Sequence, residues 1–204
     1  KSHSLFSPSL RMVVSVPSGS TEVEIRAVKD SSEHAGGRDV YMLYESMAAA
    51  IGIGIDVLAP EGNMVVDIGG GTTEIAVISL GGISSKQSIR VAGDEFTHDI
   101  MEYMRQKHNV RVGERTAEQI KIEVGSALAE LDNAPEDFVV TSTDLMDSLP
   151  RQISVSYQEI AQCLDKSIVK IESAILRTLE STPPELYSDV TQNGISLTGG
   201  GALL

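Results

Sequence analysis

The stretch Asp67-Ile68-Gly69-Gly70-Gly71-Thr72-Thr73-Glu74 decides how the fold of this chain is interpreted. It lies between two apolar runs, Met64–Val66 and Ile75–Ile78, which predicts a strand, a tight glycine turn and a second strand. Glycines let backbone N–H groups approach an anion, because no Cβ blocks the way. Asp67, at the end of the first strand, can hold a hydrated divalent cation. This is chemistry for a metal-bound polyphosphate, but a β-hairpin whose turn needs positive φ explains the same glycines.

Composition narrows the possible functions. The 204 residues carry a net charge of −13, so we expect no nucleic-acid partner, since phosphate neutralisation needs clustered Lys and Arg. Cys163 is the single cysteine, which excludes an intrachain disulfide and fits a reducing compartment. No apolar run reaches the length of a membrane-spanning helix, and Lys1–Pro8 lacks the apolar segment of a signal peptide. Because there is no initiator Met and the last residues follow a glycine turn, we expect a fragment of a longer protein.

The first part of the chain alternates strand and helix patterns. Arg11–Val16 predicts a strand, and Thr21 and Glu24 have the spacing of a capping box that opens a helix to about residue 34. Val40–Tyr44 predicts a second strand, followed by a small-residue helix that begins at Glu45. This order implies parallel strand pairing with a covering layer of helices, as in α/β proteins.

From Met64 onward we predict a three-stranded meander that ends at Gln87–Val91. The long helix Tyr157–Leu179 carries an apolar stripe at spacings of three and four, so one face should be buried. Further predicted elements are a helix that follows Gly93-Asp94 and ends at about Lys107, a helix from Thr116 to Leu128, and strands at Phe138–Thr141, Gln152–Val155 and Ile195–Leu197.

A second glycine turn, Thr198-Gly199-Gly200-Gly201, follows the last predicted strand and leads into a predicted helix. Two such turns in one small chain favour a two-sided nucleotide cleft over two packing turns. Between them in sequence, Glu118 and Lys121 lie at i and i+3 and share a helix face. They can reach ribose hydroxyls and a phosphate or ring, although a solvated surface pair has the same spacing.

Glu45 is the candidate catalytic group. A carboxylate at a helix start near the cleft can orient or deprotonate a water that attacks a γ-phosphate. The alternative is a glutamate favoured there only by the helix dipole. No Gly-Lys pair occurs in the chain, so a Walker A loop is excluded.

These residues resemble the MreB family of bacterial actin homologues, within the superfamily of actin, Hsp70 and sugar kinases. The stretch 67–74 is similar to the phosphate-2 motif of that superfamily, and 198–201 is similar to its adenosine motif. Other strings carry the resemblance to the MreB family across nearly the whole chain: Glu45-Ser-Met-Ala-Ala-Ala-Ile-Gly, Met64 to Leu80, Val91-Ala-Gly-Asp-Glu, Gly113-Glu-Arg-Thr-Ala-Glu, Lys121-Ile-Glu-Val-Gly and Thr182-Pro-Pro-Glu-Leu.

The resemblance implies an α/β, actin-like ATPase (ribonuclease H-like) fold, with part of the first domain and most of the second. It places residues 1–59 in subdomain IA, 60–95 and 157–204 in IIA, and 96–156 in IIB. The family's phosphate-1 loop and final helices are absent, so we expect ATP hydrolysis from the full-length protein and impaired activity from this piece. The family usually has Pro after the catalytic glutamate, where this chain has Ser46, which loosens the helix start.

The resemblance also implies roles for individual residues. Glu45 would activate the hydrolytic water, Thr72 would lie near the γ-phosphate, and Asp67 would serve the Mg²⁺ site. The phosphates would be bound by Gly69, Gly70 and Gly71, and the ribose side by Glu118 with Lys121. The adenosine would lie on Gly199, Gly200 and Gly201, and the membrane would be contacted by Leu5 and Phe6. Alternatively, Leu5 and Phe6 lead into a strand and pack in the core.

The implied function is that of an ATP- and Mg²⁺-binding cytoskeletal protein. It would form filaments with itself, lie in the cytoplasm against the inner membrane, and work with cell-wall elongation proteins to maintain rod shape through peptidoglycan synthesis. A sugar kinase or an Hsp70-like chaperone ATPase could use the same fold. The kinase requires an inserted sugar pocket with Asp, Asn and Trp, and this chain has no Trp. The chaperone requires a β-rich peptide-binding domain.

Overall fold

The structure is a computed structural model that describes residues 10–204. These residues form two compact units. Unit 1 holds the chain up to Asp67 together with Glu74–Ser88 and Ser181–Ser196, and unit 2 holds Ile68–Thr73, Ile89–Glu180 and Leu197–Leu204. The subdomain boundaries that the resemblance implies remain a prediction.

Unit 1 begins with two strand-helix pairs. Strand β1 (Leu10–Val16) is followed by helix α1 (Glu22–His34), and strand β2 (Gly37–Tyr44) by helix α2 (Glu45–Gly52). The strands β1 and β2 pair in parallel along their whole length, as their order in the sequence predicts. Thr21 caps α1 with the expected reciprocal hydrogen bonds to Glu24, which satisfies N–H groups that the first helical turn leaves unpaired.

A four-stranded sheet belongs mainly to unit 1. Its strands are β3 (Asn63–Ile68), β4 (Thr73–Ser79), β5 (Gly82–Ile89) and β9 (Ile195–Thr198), in the spatial order β5-β4-β3-β9. The predicted three-stranded meander is confirmed by the adjacency of β3, β4 and β5, but the bounds predicted for its third strand, Gln87–Val91, are wrong, since β5 begins at Gly82 and ends at Ile89. Strand β4 is buried along almost its whole length, as its continuous apolar run predicts.

The core of unit 1 forms where α2 packs on this sheet. Small and apolar side chains share one buried cluster: Met47, Ala50, Val65, Ala76 and Ile78. Ala50 is fully buried, and its small side chain lets α2 approach the sheet closely.

Unit 2 contains three helices and a small antiparallel sheet. Its elements are α3 (Gly93–His108), β6 (Val110–Arg111), α4 (Glu114–Val124), β7 (Phe138–Asp144), β8 (Pro150–Val155), α5 (Tyr157–Glu180) and a short 3₁₀ helix, Gly200–Leu203. The prediction that α4 continues to Leu128 is wrong. The helix ends at Val124 because Gly125 leaves the helical conformation, with ψ of 136°.

The last two α-helices also differ from the sequence prediction. Of the predicted stripe on α5, Ile160, Leu164 and Ile171 are buried, and small residues such as Ala174 complete the buried face. Helix α6 (Pro184–Asn193) was missed, because a double proline was interpreted only as a helix break. Pro184 occupies the first turn, where a missing N–H costs nothing. Among residues 10–204, no helix combines the length and the apolar character needed to cross a bilayer.

Candidate functional site

Unit 2 contains a pocket of about 870 Å³, a size typical of ligand-binding cavities. Six residues singled out in the sequence line it: Gly69, Gly70, Glu118, Lys121, Gly200 and Gly201. Eight further lining residues were not among the predicted site residues: Gly93, Asp94, Thr97, Glu114, Arg115, Ile122, Leu203 and Leu204. Both glycine turns and the Glu118 helix therefore meet at one cavity, as the sequence analysis predicts.

The first glycine turn is closed by a hydrogen bond from the Gly69 N–H to the Thr72 carbonyl, at 3.0 Å. None of its glycines has positive φ, so the hairpin explanation based on backbone conformation is wrong. Packing does not require glycine at the tip either. A Cβ at Gly70 would come no nearer than 3.5 Å to its closest neighbour, the Asp94 carboxylate, and one at Gly71 no nearer than 3.9 Å. Gly69 and Gly70 line the pocket, so their missing side chains leave room there for an anion to approach the backbone.

The start of helix α3 holds this turn in place. The Gly93 N–H donates to the Gly69 carbonyl at 3.0 Å, and the Asp94 N–H donates to the Gly70 carbonyl at 2.8 Å. These N–H groups belong to the first helical turn, which leaves them without partners inside the helix. A Cβ at Gly93 would lie 3.2 Å from the Gly69 carbonyl oxygen, so glycine permits this close approach.

Helix α4 contributes Glu118 and Lys121, whose side chains form an ion pair at 2.6 Å. Their predicted common face is thus confirmed, but the interpretation as a solvated pair fails for Lys121, whose side chain is only 14% exposed. Thr97 of α3 lies 2.8 Å from the same Glu118 oxygen. The hydrogen bond from Lys121 lowers the pKa of Glu118 most, the partial burial opposes it, and the Thr97 hydroxyl adds to the lowering.

In the second glycine turn, each glycine has a different environment. Gly199 has φ of +86°, a conformation that L side chains rarely adopt. A Cβ at Gly201 would lie 2.3 Å from the Ile68 side chain, so packing requires glycine there. A Cβ at Gly200 would meet nothing within 4 Å, and Gly200 lines the pocket. Leu203, which is 90% exposed, adds an apolar surface suited to a flat ring.

Unit 1 carries a separate group of carboxylates. Glu45 is the first residue of α2, as the sequence predicts, and it is half-buried. Burial raises the pKa of Glu45, and the negative charges of Glu74 and Asp67 raise it further. Burial also raises the pKa of Asp67, with Glu74 again adding to it. The three carboxylates thus form one electronegative group.

Glu74 is the functional candidate that sequence reasoning missed. It is 1% exposed, and its carboxylate accepts hydrogen bonds from the N–H of Ser18, at 2.9 Å, and from the hydroxyls of Ser18 and Ser88. Ser18 lies in the loop after β1, so Glu74 ties this loop to β4 and β5. The only signal in the sequence was its place as the eighth residue of the glycine stretch.

The carboxylate group suits a hydrated divalent cation. The partly buried Asp67 lies near a second negative charge, and a cation would relieve that repulsion. Among residues 10–204, no three or more His, Cys, Asp or Glu side chains gather as a full metal-ligand cage. Mg²⁺ needs no such cage, since it binds through one or two carboxylates and keeps its waters.

The remaining predicted residues are placed as follows. Thr72 is half-buried and closes the first glycine turn through its carbonyl. Ser46, which follows Glu45, is fully buried, and its hydroxyl has no hydrogen-bond partner in the described part of the chain. Leu5 and Phe6 lie outside the described residues.

Solved structures with this architecture are actin-like proteins. MreB5 of Spiroplasma citri bound to AMPPNP matches with a TM-score of 0.91 and 38% identity, over 95% of this chain and 58% of that chain. The MamK double helical filament matches with a TM-score of 0.72 over 97% of this chain and 58% of that one, at 19% identity, which is evidence for the fold alone. The class is therefore that of α/β proteins with the actin-like fold.

The family model described as MreB/Mbl protein matches residues 1–204, and the chain belongs to this family. It is 44% identical over 194 residues to the cell shape-determining protein Mbl of Bacillus subtilis (strain 168), covering 95% of this chain and 58% of that protein. It is 45% identical over 203 residues to the cell shape-determining protein MreB of Escherichia coli (strain K12), covering 100% of this chain and 58% of that protein. The chain thus spans less than two thirds of the length of these relatives.

Proposed function

We propose that this chain is the nucleotide-binding part of a cell shape-determining, actin-like protein that polymerises with bound ATP and Mg²⁺. The observation that carries the proposal is the pocket of unit 2, where the tip of a glycine turn is left open for no reason of conformation or packing. Relatives named as cell shape-determining proteins, and structures of MreB5 bound to AMPPNP and to ADP, support it.

In this proposal the two glycine turns take opposite ends of the nucleotide. The phosphates lie against Gly69, Gly70 and Gly71, whose backbone can approach an anion closely. The adenosine lies against Gly199, Gly200 and Gly201, beside the apolar surface of Leu203, and Glu118 accepts a hydrogen bond from the ribose. The lowered pKa of Glu118 keeps it ionised at neutral pH, so both of its oxygens act as hydrogen-bond acceptors.

Asp67 would hold Mg²⁺ through its waters, and the bound metal would neutralise charge on the phosphates. Glu45 would orient the attacking water and accept its proton. A carboxylate whose pKa is raised is a stronger base than an ordinary one, so burial and the charges of Glu74 and Asp67 suit Glu45 to this task. Thr72 would contact the γ-phosphate through its hydroxyl.

Assembly and location complete the proposal. The protein would form filaments with itself in the cytoplasm, against the inner membrane, and these would organise peptidoglycan synthesis with cell-wall elongation proteins to maintain rod shape. The relatives named as cell shape-determining proteins support the role in cell shape. Leu5 and Phe6 would provide a weak membrane contact that becomes effective when many subunits act together.

The test is sedimentation of the protein at the full length of its relatives, with Mg-ATP, with and without liposomes. Asp67→Ala and Glu45→Ala are run beside it, with Glu61→Ala as an exposed control on the same unit. We expect ATP-dependent pelleting that rises with liposomes and falls with Asp67→Ala. Glu45→Ala should still pellet but should lose phosphate release by roughly a hundredfold or more, as expected for a lost general base.

One outcome of these assays would contradict the filament proposal. A protein that stays soluble under all conditions and phosphorylates a sugar in a substrate screen would overturn the filament proposal in favour of a kinase.

A further inference from the structure

Lys121 has no N–H donor left for a ligand. A lysine ammonium has three donors. The structure places three acceptors around the Lys121 Nζ: Glu118 Oε2 at 2.6 Å, the Gly93 carbonyl at 3.0 Å and the Thr97 hydroxyl at 3.0 Å. A buried ammonium is stable only when paired in this way. The side chain is therefore built into the protein, although it lines the pocket.

The Gly93 carbonyl is the important member of this set. The same residue donates its N–H to the Gly69 carbonyl, in the first glycine turn. A Cβ at Gly93 would lie 3.4 Å from the Lys121 Nζ and 3.2 Å from the Gly69 oxygen, so Gly93 is packed closely between the two. One continuous chain of hydrogen bonds thus runs from Glu118 through Lys121 and Gly93 to Gly69.

We propose that Lys121 is a positioning residue that couples the sugar-binding side of the pocket, at Glu118, to the phosphate-binding turn at Gly69. The proposal rests on the nucleotide site proposed above and adds a role to one of its residues. A ligand that orders Glu118 would also order the glycine turn, because Lys121 bonds both Glu118 and Gly93, and Gly93 bonds Gly69 of the turn.

Thr97 makes this coupling testable. It is 5% exposed, and its hydroxyl accepts from Lys121 while donating its single proton to either Gly93 or Glu118. Thr97→Val therefore removes a network partner without removing a group that can form a salt bridge to a ligand. If Lys121 instead bound phosphate directly, removing the Thr97 hydroxyl would leave phosphate binding unchanged.

The experiment measures the dissociation constants of Mg-ATP and Mg-tripolyphosphate by calorimetry on the full chain. Tripolyphosphate has no ribose, so it reports on the phosphate turn alone. We expect Lys121→Met and Thr97→Val each to weaken both ligands by about tenfold, the effect of about one lost hydrogen bond to a charged group. The double variant should raise each dissociation constant by much less than the product of the two single-variant factors, since the two residues act in one network.

Three controls define the result. Thr97→Ser keeps the hydroxyl and should restore both affinities. Lys107→Met removes an exposed lysine from the end of α3 and should change neither. Glu118→Gln keeps an acceptor for Lys121 but loses the charge that faces the sugar and pairs with the ammonium, so it should weaken Mg-ATP more than Mg-tripolyphosphate.

Two results would overturn the coupling. One is a wild-type chain that binds both ligands while Thr97→Val leaves tripolyphosphate binding unchanged. The other is full additivity in the double variant. A wild-type chain that bound neither ligand would overturn the nucleotide site itself, and the coupling with it.

Discussion

Replacing Glu74 tests whether a buried carboxylate organises unit 1. Glu74→Ala removes the acceptor of hydrogen bonds from the Ser18 N–H, the Ser18 hydroxyl and the Ser88 hydroxyl. The Ser18 N–H cannot turn away, and each lost hydrogen bond costs about 1 kcal/mol, so the free energy of unfolding should fall by about 3–5 kcal/mol including the cavity.

Glu74→Gln separates the hydrogen bonds from the charge. The amide oxygen can accept from Ser18, and the amide NH₂ can donate to the Ser88 hydroxyl, which is able to rotate and accept. We therefore expect a loss of only about 1 kcal/mol. Glu61→Gln, at an exposed position, serves as the control and should change stability by less than about 0.5 kcal/mol. Urea unfolding followed by circular dichroism measures all three.

The pH dependence of Glu74→Gln provides an independent check. Burial and the Glu74 charge raise the pKa of Asp67, and both also raise the pKa of Glu45 above its ordinary value of 4.5. A raised carboxyl pKa contributes stability that is fully present below the ordinary pKa and is lost as pH rises through the raised value. Without the Glu74 charge, this loss as pH rises above the ordinary values of 3.8 for Asp67 and 4.5 for Glu45 should be smaller. Equal losses in Glu74→Gln and Glu74→Ala, or an unchanged pH profile, would refute the reasoning.

Three further predictions follow from local packing. Gly201→Ala should destabilise the protein by about 1–3 kcal/mol, because its Cβ would lie 2.3 Å from the Ile68 side chain, while Gly200→Ala should cost less than about 0.5 kcal/mol; thermal unfolding compares the pair. Ser46→Ala should raise the free energy of unfolding by about 1 kcal/mol, because it removes a buried hydroxyl without a partner in the described residues; a decrease would show that the hydroxyl is bonded. Burial, with the Asp99 charge adding, raises the pKa of the Cys163 thiol to about 12, so native protein at pH 8 should react with a thiol reagent on the order of a hundredfold more slowly than unfolded protein.

Local sequence signals predicted the local structure well. The capping box at Thr21 and Glu24 and the parallel pairing of β1 with β2 are confirmed, because each depends on residues close in sequence or on element order. The glycine turn after β3 and the common face of Glu118 and Lys121 were found for the same reason.

Contacts between distant residues were not predictable from one sequence. Ser18 is 56 residues from Glu74, and no spacing rule joins a loop serine to a strand glutamate. Lys121 is 28 residues from Gly93, so its engagement with a backbone carbonyl was equally hidden. The sequence identified the residue types of the site, and only the folded chain revealed which of their atoms are already occupied.

The glycines show how structure decides between explanations that sequence leaves equal. Gly199 is required by its φ and Gly201 by packing, so both would be glycine without any ligand. Gly70, Gly71 and Gly200 are required by neither, and glycine costs backbone entropy relative to alanine, about 0.5–1 kcal/mol within regular structure. Of these three glycines, Gly70 and Gly200 line the pocket of unit 2. The positions without an internal reason, and not the whole of each motif, are therefore the strongest structural argument for a ligand.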